Sequence, residues 1–129
     1  MDKIANMLIM IKNAGTAGKD SVTIPYSKLK HSIADCLVKG GFIGNVSKKT
    51  DKGDKAILDV TLLKVGRAPR ITQVERISKP SKRVYIKAKD IKPVRQGIGI
   101  MVLSTPKGVM NAGEARKELV GGEALFRIW

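Results

Sequence analysis

A short run of hydroxyl and basic side chains is the part of this chain best suited to hold a ligand. Ser104 and Thr105 carry hydroxyls, Lys107 carries a cation, and Pro106 and Gly108 complete the loop. Hydroxyls donate and accept hydrogen bonds, and a loop held between packed elements loses little entropy on binding. This run therefore predicts a ligand-binding loop. The same residue types also fit a plain strand-to-helix connection.

The net charge indicates which ligand to expect. The chain has 129 residues, with 25 Lys and Arg against 11 Asp and Glu, for a formal charge of +14. So much like charge opposes compaction, and its usual role is to meet a polyanion. Nucleic acid is the first expectation and an anionic membrane surface the second.

The basic residues are concentrated in the second half. Residues 67–129 carry a net charge of +9 against +5 for residues 1–66, and they hold every arginine. Arginine grips phosphate bidentately and stacks on bases. The window 76–95 supplies candidate RNA contacts at Lys79, Lys82, Arg83, Lys87, Lys89, Lys92 and Arg95, with Tyr85 among them. A solvated basic face, and ordinary packing of Tyr85, are the alternatives.

Residues for catalysis or metal binding are too few. His31 and Cys36 are the single histidine and the single cysteine. Five positions along a helix place them about 140° apart, on different faces. One Cys and one His do not make a zinc site. The sequence thus predicts no enzyme, no catalytic residue, no metal, no cofactor and no small-molecule substrate.

Periodicity and turn residues predict two small domains in an α+β fold. Residues 1–66 form the first, a helix–strand–helix–hairpin unit with elements at 3–14, 21–25, 28–39, 42–49 and 55–63. Residues 67–129 form the second, mainly β, with strands expected at 70–77, 83–87, 97–105 and 123–129. Asn111 and Glu114 predict a capping box for one short helix ending at Leu119.

The eighteen positions from Gly99 to Arg116 also resemble a family signature. They read Gly-x-x-Val-Leu-Ser-Thr-x-x-Gly-Val-Met-x-x-x-x-Ala-Arg, which is similar to the pattern of the universal ribosomal protein eight family of the small subunit. The similarity extends along the chain, including Val22–Pro25, Arg76–Pro80 and Gly121–Glu123.

The resemblance implies a function and its partners. It implies an α/β domain packed on a mainly β RNA-binding domain, direct binding to the central domain of 16S ribosomal RNA, and an early role in subunit assembly. It implies proteins five and twelve of the small subunit as neighbours, and repression of the protein's own message. The RNA contacts it carries over fall on Ser104, Thr105, Lys107, Gly122, Glu123 and Tyr85.

Two departures from the family pattern bear on the site. Pro106 stands where serine is usual, which removes a hydroxyl and a backbone N–H. Ile9 and Met10 stand where a polar and a basic residue are usual, which favours a protein or core contact for the first helix.

The sequence as a whole predicts a cytoplasmic, structural RNA-binding protein of the small ribosomal subunit. No stretch reaches the roughly 18–20 apolar residues that span a bilayer, and a lone cysteine suits a reducing compartment. A stand-alone basic regulator that binds messenger RNA or duplex DNA is the alternative.

Overall fold

The computed structural model of the chain describes residues 3–91 and 99–129. These residues form two compact units, one from Lys3 to Thr72 and the other from Gln73 to Trp129. The first contains two helices and a small sheet, and the second is mainly β with one short helix. The predicted α+β class is therefore confirmed.

The first unit places two helices beside a three-stranded antiparallel sheet. The strand order is β1-β3-β2, and a two-stranded ribbon, β4-β5, follows the sheet. The elements are α1 (Lys3–Thr16), β1 (Ser21–Pro25), α2 (Lys28–Lys39), β2 (Ile43–Thr50), β3 (Ala56–Leu62), β4 (Lys64–Val65) and β5 (Ala68–Pro69).

Local sequence signals determine where these helices begin and what they bury. The Ser27 hydroxyl accepts a hydrogen bond from the backbone N–H of Lys30 at 3.1 Å and so caps α2. Most of the apolar residues spaced three and four apart on both helices are buried, namely Ile4, Met7, Leu8 and Ile11 on α1 and Ile33 and Leu37 on α2. Leu29, the first of the α2 series, is exposed. Ile9 and Met10 are exposed, so they are not core residues.

The second unit is built around its last strand. The sheet order is β6-β10-β8-β9, and β7 also pairs with β10. The elements are β6 (Val74–Arg76), β7 (Tyr85–Ile86), a 3₁₀ turn (Ala88–Asp90), β8 (Ile100–Thr105), β9 (Gly108–Asn111), α3 (Ala112–Lys117) and β10 (Gly122–Ile128). All of these strand pairs are antiparallel.

The short helix α3 begins at the predicted capping box. The Asn111 side-chain oxygen accepts from the Glu114 N–H at 2.8 Å, and the Asn111 side-chain amide donates to the Glu114 carboxylate at 3.0 Å. Ala112 and Ala115 pack into an apolar cluster with Leu103 of β8. Small residues on one face let the helix lie close to the sheet.

The structure differs from the predicted elements at three places in this unit. Residues 108–111 form β9, so the hydroxyl loop is the turn of a β8–β9 hairpin and not a strand-to-helix connection. The strands expected at 70–77 and 83–87 shrink to β6 and β7, because the regular ladder with β10 covers only those residues. Ile77, Ser78 and Val84 also hydrogen-bond to β10 through their backbones. The predicted contacts Lys92 and Arg95, and the first residues of the strand expected from 97, lie outside the described residues.

Candidate nucleic-acid interface

Three neighbouring strands align an aromatic ring, a carboxylate and a hydroxyl in one row. Glu123 on β10 stands opposite Tyr85 on β7 and opposite Ser104 on β8. Directly opposed residues of antiparallel strands project to the same face, with neighbouring Cβ atoms about 5 Å apart. The row therefore spans roughly 10 Å of one sheet face, counted as two such steps.

Two glycines allow the three strands to meet so closely. A Cβ at Gly122 would collide with the backbone carbonyl of Ser104, and a Cβ at Gly121 would collide with the carbonyl of Ile86. Both obstacles are backbone atoms, so no side-chain movement can relieve the overlap. Gly122, one of the residues predicted to contact RNA, is thus needed for the close approach of the strands that carry Tyr85, Glu123 and Ser104.

A β-bulge divides β10 next to this row. Ala124 pairs with Leu103 and Phe126 with Val102, which leaves Leu125 as the extra residue. Its carbonyl is not left without a partner, because the Arg76 guanidinium and the Ile77 N–H both donate to it. Glu123 and Ala124 therefore pair with β8 in a register that differs by one residue from that of Phe126 to Ile128.

The Glu123 carboxylate is held by groups of its own unit. The hydroxyl of Ser78 donates to it, and that hydroxyl accepts from the backbone N–H of Val84 at 3.1 Å. Arg83 donates to the same carboxylate oxygen at 3.0 Å. Burial raises the pKa of Glu123, but the hydrogen bonds from Ser78 and Arg83 outweigh it and hold the pKa below 4.5. The carboxylate is therefore a fixed, charged anchor.

The hairpin turn after β8 is braced by its own threonine. The Thr105 hydroxyl donates to the Gly108 carbonyl at 2.7 Å and accepts from the Lys107 N–H at 3.1 Å. Thr105 is buried. Lys107 is exposed, and its ammonium group pairs with Glu118 at 3.1 Å. The threonine thus shapes the turn, while the lysine is held at the surface by a partner that solvent can reach.

The row and the turn border a surface cavity of about 710 Å³. That volume is within the usual range for ligand sites. Tyr85, which lines this cavity, is 72% exposed, so its ring is not packed in the core. The lining residues are Tyr85, Ile86, Lys87, Ala88, Ser104, Pro106, Leu119, Gly121, Gly122 and Glu123.

Most of the residues predicted to contact RNA lie at or next to this cavity. Tyr85, Lys87, Ser104, Gly122 and Glu123 line it, Arg83 is bonded to Glu123, and Thr105 and Lys107 form the adjoining turn. Lys79 and Lys82 are exposed and pair with each other through their backbones at a separate turn. Their contact with RNA stays a prediction.

Sequence reasoning missed three residues that shape the site. Ser78 follows the strand expected at 70–77 and was given no role at the site, yet it is fully buried beneath Glu123. Leu119 was expected only as the end of a helix, yet it lines the cavity. Ala88 reaches the cavity from a 3₁₀ turn that no periodicity indicates. The Gly121–Gly122 pair is the one signal that pointed to close packing here.

The described residues offer other chemistry little support. Within 3–91 and 99–129, no group of three or more His, Cys, Asp and Glu side chains is placed to hold a metal ion. No helix in those same ranges is long and apolar enough to cross a membrane. The arrangement is suited to binding, with hydrogen-bonding groups and an aromatic ring in a strongly basic chain.

Comparison with known proteins identifies relatives along the whole length. Residues 2–129 match the family model described as ribosomal protein S8. Small ribosomal subunit protein uS8 of Ruegeria pomeroyi is 42% identical over 99% of this chain and 98% of the relative. The proteins of the same name from Persephonella marina and Ruminiclostridium cellulolyticum are both 44% identical, over 99% of this chain and 98% and 97% of those relatives.

Proposed function

The chain belongs to the ribosomal protein S8 family, and we propose on that footing that it is a structural protein of the small ribosomal subunit. Members of this family are structural proteins and not enzymes. The binding partner proposed for this protein is ribosomal RNA, and the protein acts in the cytoplasmic ribosome. The charge of +14 supports this assignment, because a polyanion must balance it.

The proposed target within the subunit is an irregular helix in the central domain of 16S ribosomal RNA. The protein binds that helix directly and helps the RNA to fold during assembly. In the finished subunit, small-subunit proteins five and twelve are its proposed neighbours. The second unit, within residues 67–129, supplies the principal RNA surface.

The observation that carries this proposal is the cavity beside Tyr85 and Ser104. Proteins that read RNA sequence address irregular or single-stranded segments, whose bases leave the stack and lie against aromatic side chains. Small hydroxyl and backbone groups reach the 2′-hydroxyls of the shallow groove. Reading duplex DNA would instead call for an element inserted into the major groove.

We assign different tasks to the cationic and the neutral groups. Exposed lysines such as Lys79 and Lys82 neutralise phosphates and supply affinity without selecting a sequence. Ser104 and Tyr85 contact sugars and bases inside the cavity. Thr105 and Glu123 act mainly through the turn and the strand they hold, because the Thr105 hydroxyl and one oxygen of the Glu123 carboxylate already have partners within the protein.

A binding comparison tests the proposed function. A hairpin copied from the irregular helix of the central domain should bind on the order of a hundredfold more tightly than duplex DNA of equal length. Its affinity should fall steeply as salt is raised. Equal binding to both at moderate salt would overturn the ribosomal assignment and favour a general basic regulator. Measuring the affinity for a hairpin copied from the protein's own message tests whether the protein also represses its own translation.

Two matched variants test the division of tasks. Ser104→Ala should lose part of the binding that survives high salt, because a neutral hydrogen bond is not screened. Lys79→Ala should instead reduce the salt slope by about one. Both residues stand in the second unit, and neither side chain is needed for the strand pairing of β8 or β10. Identical behaviour of the two variants contradicts the assignment of tasks.

A further inference from the structure

Leu119 combines two features that a residue placed only for stability would not have. Its backbone is left-handed, with φ of 58°, and its side chain is 83% exposed. It follows the last turn of α3, where its N–H donates to the Arg116 carbonyl at 3.2 Å. The N–H of Val120 then donates to the Ala115 carbonyl at 3.0 Å and closes the helix. Leucine is not required for either bond, because both use backbone atoms.

Glycine would serve this position better for folding. The left-handed conformation is unfavourable for residues with a Cβ, and glycine usually occupies it at helix ends. Elsewhere in the described chain, residues that tolerate this conformation occupy the positions of positive φ, namely Gly18, Gly41, Gly66, Gly108 and Asp54. A large apolar side chain held in a strained, exposed place points to function rather than stability.

The Leu119 side chain lies at the wall of the cavity, where it can contact a ligand. Leu119 lines the cavity together with Tyr85 and Pro106, which makes part of the wall apolar. Ser104, Lys87 and Glu123 line the same cavity and bring hydrogen-bonding and charged groups. A nucleobase has this mixed character, with apolar faces and a polar edge on a charged backbone.

We propose that Leu119 is a direct RNA-binding residue, whose side chain packs against an unpaired base that enters the cavity beside Tyr85. This inference rests on the proposed RNA-binding function. The left-handed backbone at Leu119 makes the turn after α3 less stable, and the Leu119 side chain adds to RNA binding an apolar contact that salt does not screen. Leu119 thereby favours RNA with an unpaired base over a continuous duplex.

Two substitutions separate the side-chain contact from the backbone strain. Leu119→Ala removes most of the side chain and keeps the strain, while Leu119→Gly removes both. Each should weaken binding to the irregular hairpin by about tenfold, the effect of losing one well-buried apolar contact. The salt slope should stay unchanged. Leu119→Gly should also raise Tm by roughly 3 °C, and Leu119→Ala should not.

The RNA provides the second half of the test. On a hairpin whose unpaired nucleotides are abasic, Leu119→Ala should bind as tightly as the unaltered protein, because the contact is already gone. Leu29→Ala is the control, since Leu29 on α2 is also exposed, at 43%, and lies in the other unit. It should leave affinity unchanged.

The outcomes distinguish the inference from the function beneath it. If the unaltered protein binds the hairpin and both Leu119 variants bind equally well, the inference is overturned and RNA binding stands. An equal loss on normal and abasic hairpins also overturns it. If the unaltered protein shows no preference for the hairpin over duplex DNA, the proposed function fails first.

Discussion

Two hairpin turns of this protein are braced in the same way and differ in their surroundings. The β2–β3 turn carries Lys52 and Lys55, and the Asp51 carboxylate braces it by accepting from the N–H groups of Gly53 and Lys55, both at 2.9 Å. The β8–β9 turn carries Lys107 and is braced by the Thr105 hydroxyl. Each turn is tied by one polar side chain. Residues 51–55 are neutral, with two Lys against two Asp, whereas residues 105–108 carry the single charge of Lys107.

What differs is the neighbourhood of each turn. The turn residues 51–55 are all exposed. The β8–β9 turn adjoins a cavity whose walls come from β7, β8, β10 and the segment after α3. An exposed lysine alone therefore offers only a phosphate contact, while strands distant in sequence must converge to make a surface that can select an RNA.

The largest expected difference is in stability, when a glycine of the β2–β3 turn and a glycine of β10, next to the β8–β9 hairpin, are each replaced by alanine. Gly122→Ala should destabilise the protein by about 3 kcal/mol, because the new methyl group overlaps the Ser104 carbonyl and forces β10 from β8. Gly53→Ala should change stability by less than about 0.5 kcal/mol, since a Cβ there meets only Asp51 at 3.6 Å. Urea denaturation measures both. Similar losses would show that the strands near the cavity are not closely constrained.

An intermediate effect is expected from the pH dependence of Glu123. Its pKa is lowered, so its stabilising contribution is complete above about 4.5 and is lost as the pH falls through the lower value of the folded state. At pH 7, Glu123→Gln should cost about 1.5 kcal/mol through weaker bonds to Ser78 and Arg83.

Thermal unfolding between pH 7 and pH 3 measures this effect. The difference in Tm between the unaltered protein and Glu123→Gln should shrink below about pH 4.5, where the carboxylate of the unfolded chain takes up a proton. A difference that stays constant across the range would show that Glu123 is not the anchor of the site.

The smallest expected effect compares the two lysines at the hairpin tips. Lys107→Ala should reduce the salt slope of RNA binding by less than one, and Lys52→Ala should change it still less. The Lys107 effect is limited because its ammonium group must leave Glu118 to reach a phosphate. Filter binding at several salt concentrations measures both slopes. A larger change for Lys52→Ala would mean that RNA lies on the β2–β3 turn.

The sequence predicted best those elements whose signals are local. Periodicity and turn residues predicted α2 at residues 28–39, and the strand Ser21–Pro25 was found as predicted. The Asn111–Glu114 capping box predicted the start of α3. In each case the residues that define the element lie within a few positions of one another.

Elements that depend on distant partners were harder to predict. Val109 and Met110 belong to β9, but an apolar pair before a helix cap looks the same whether or not it pairs with β8. The strand expected at 70–77 is short because its regular ladder with β10 covers only residues 74–76, next to the bulge at Leu125. Nothing near Ser78 in sequence indicates that Glu123 will cover it.

The candidate site follows the same rule. Its residues were predicted by type and by resemblance, but the cavity that joins them is produced by pairing across β7, β10 and β8. Leu119 shows the limit most clearly. Its left-handed backbone depends on how α3 ends, and its residue type favours neither that conformation nor exposure.

The central position of β10 has a consequence for when the protein becomes functional. This strand is synthesised after β6, β7 and β8, yet all three pair with it. A chain still emerging during translation holds Tyr85 and Ser104 but lacks the strand that aligns them. The second unit must wait for residues 122–128 before its sheet can close. The proposed RNA surface is therefore assembled only once residues 122–128 have been made, and a fragment that stops before them lacks the strand that aligns it.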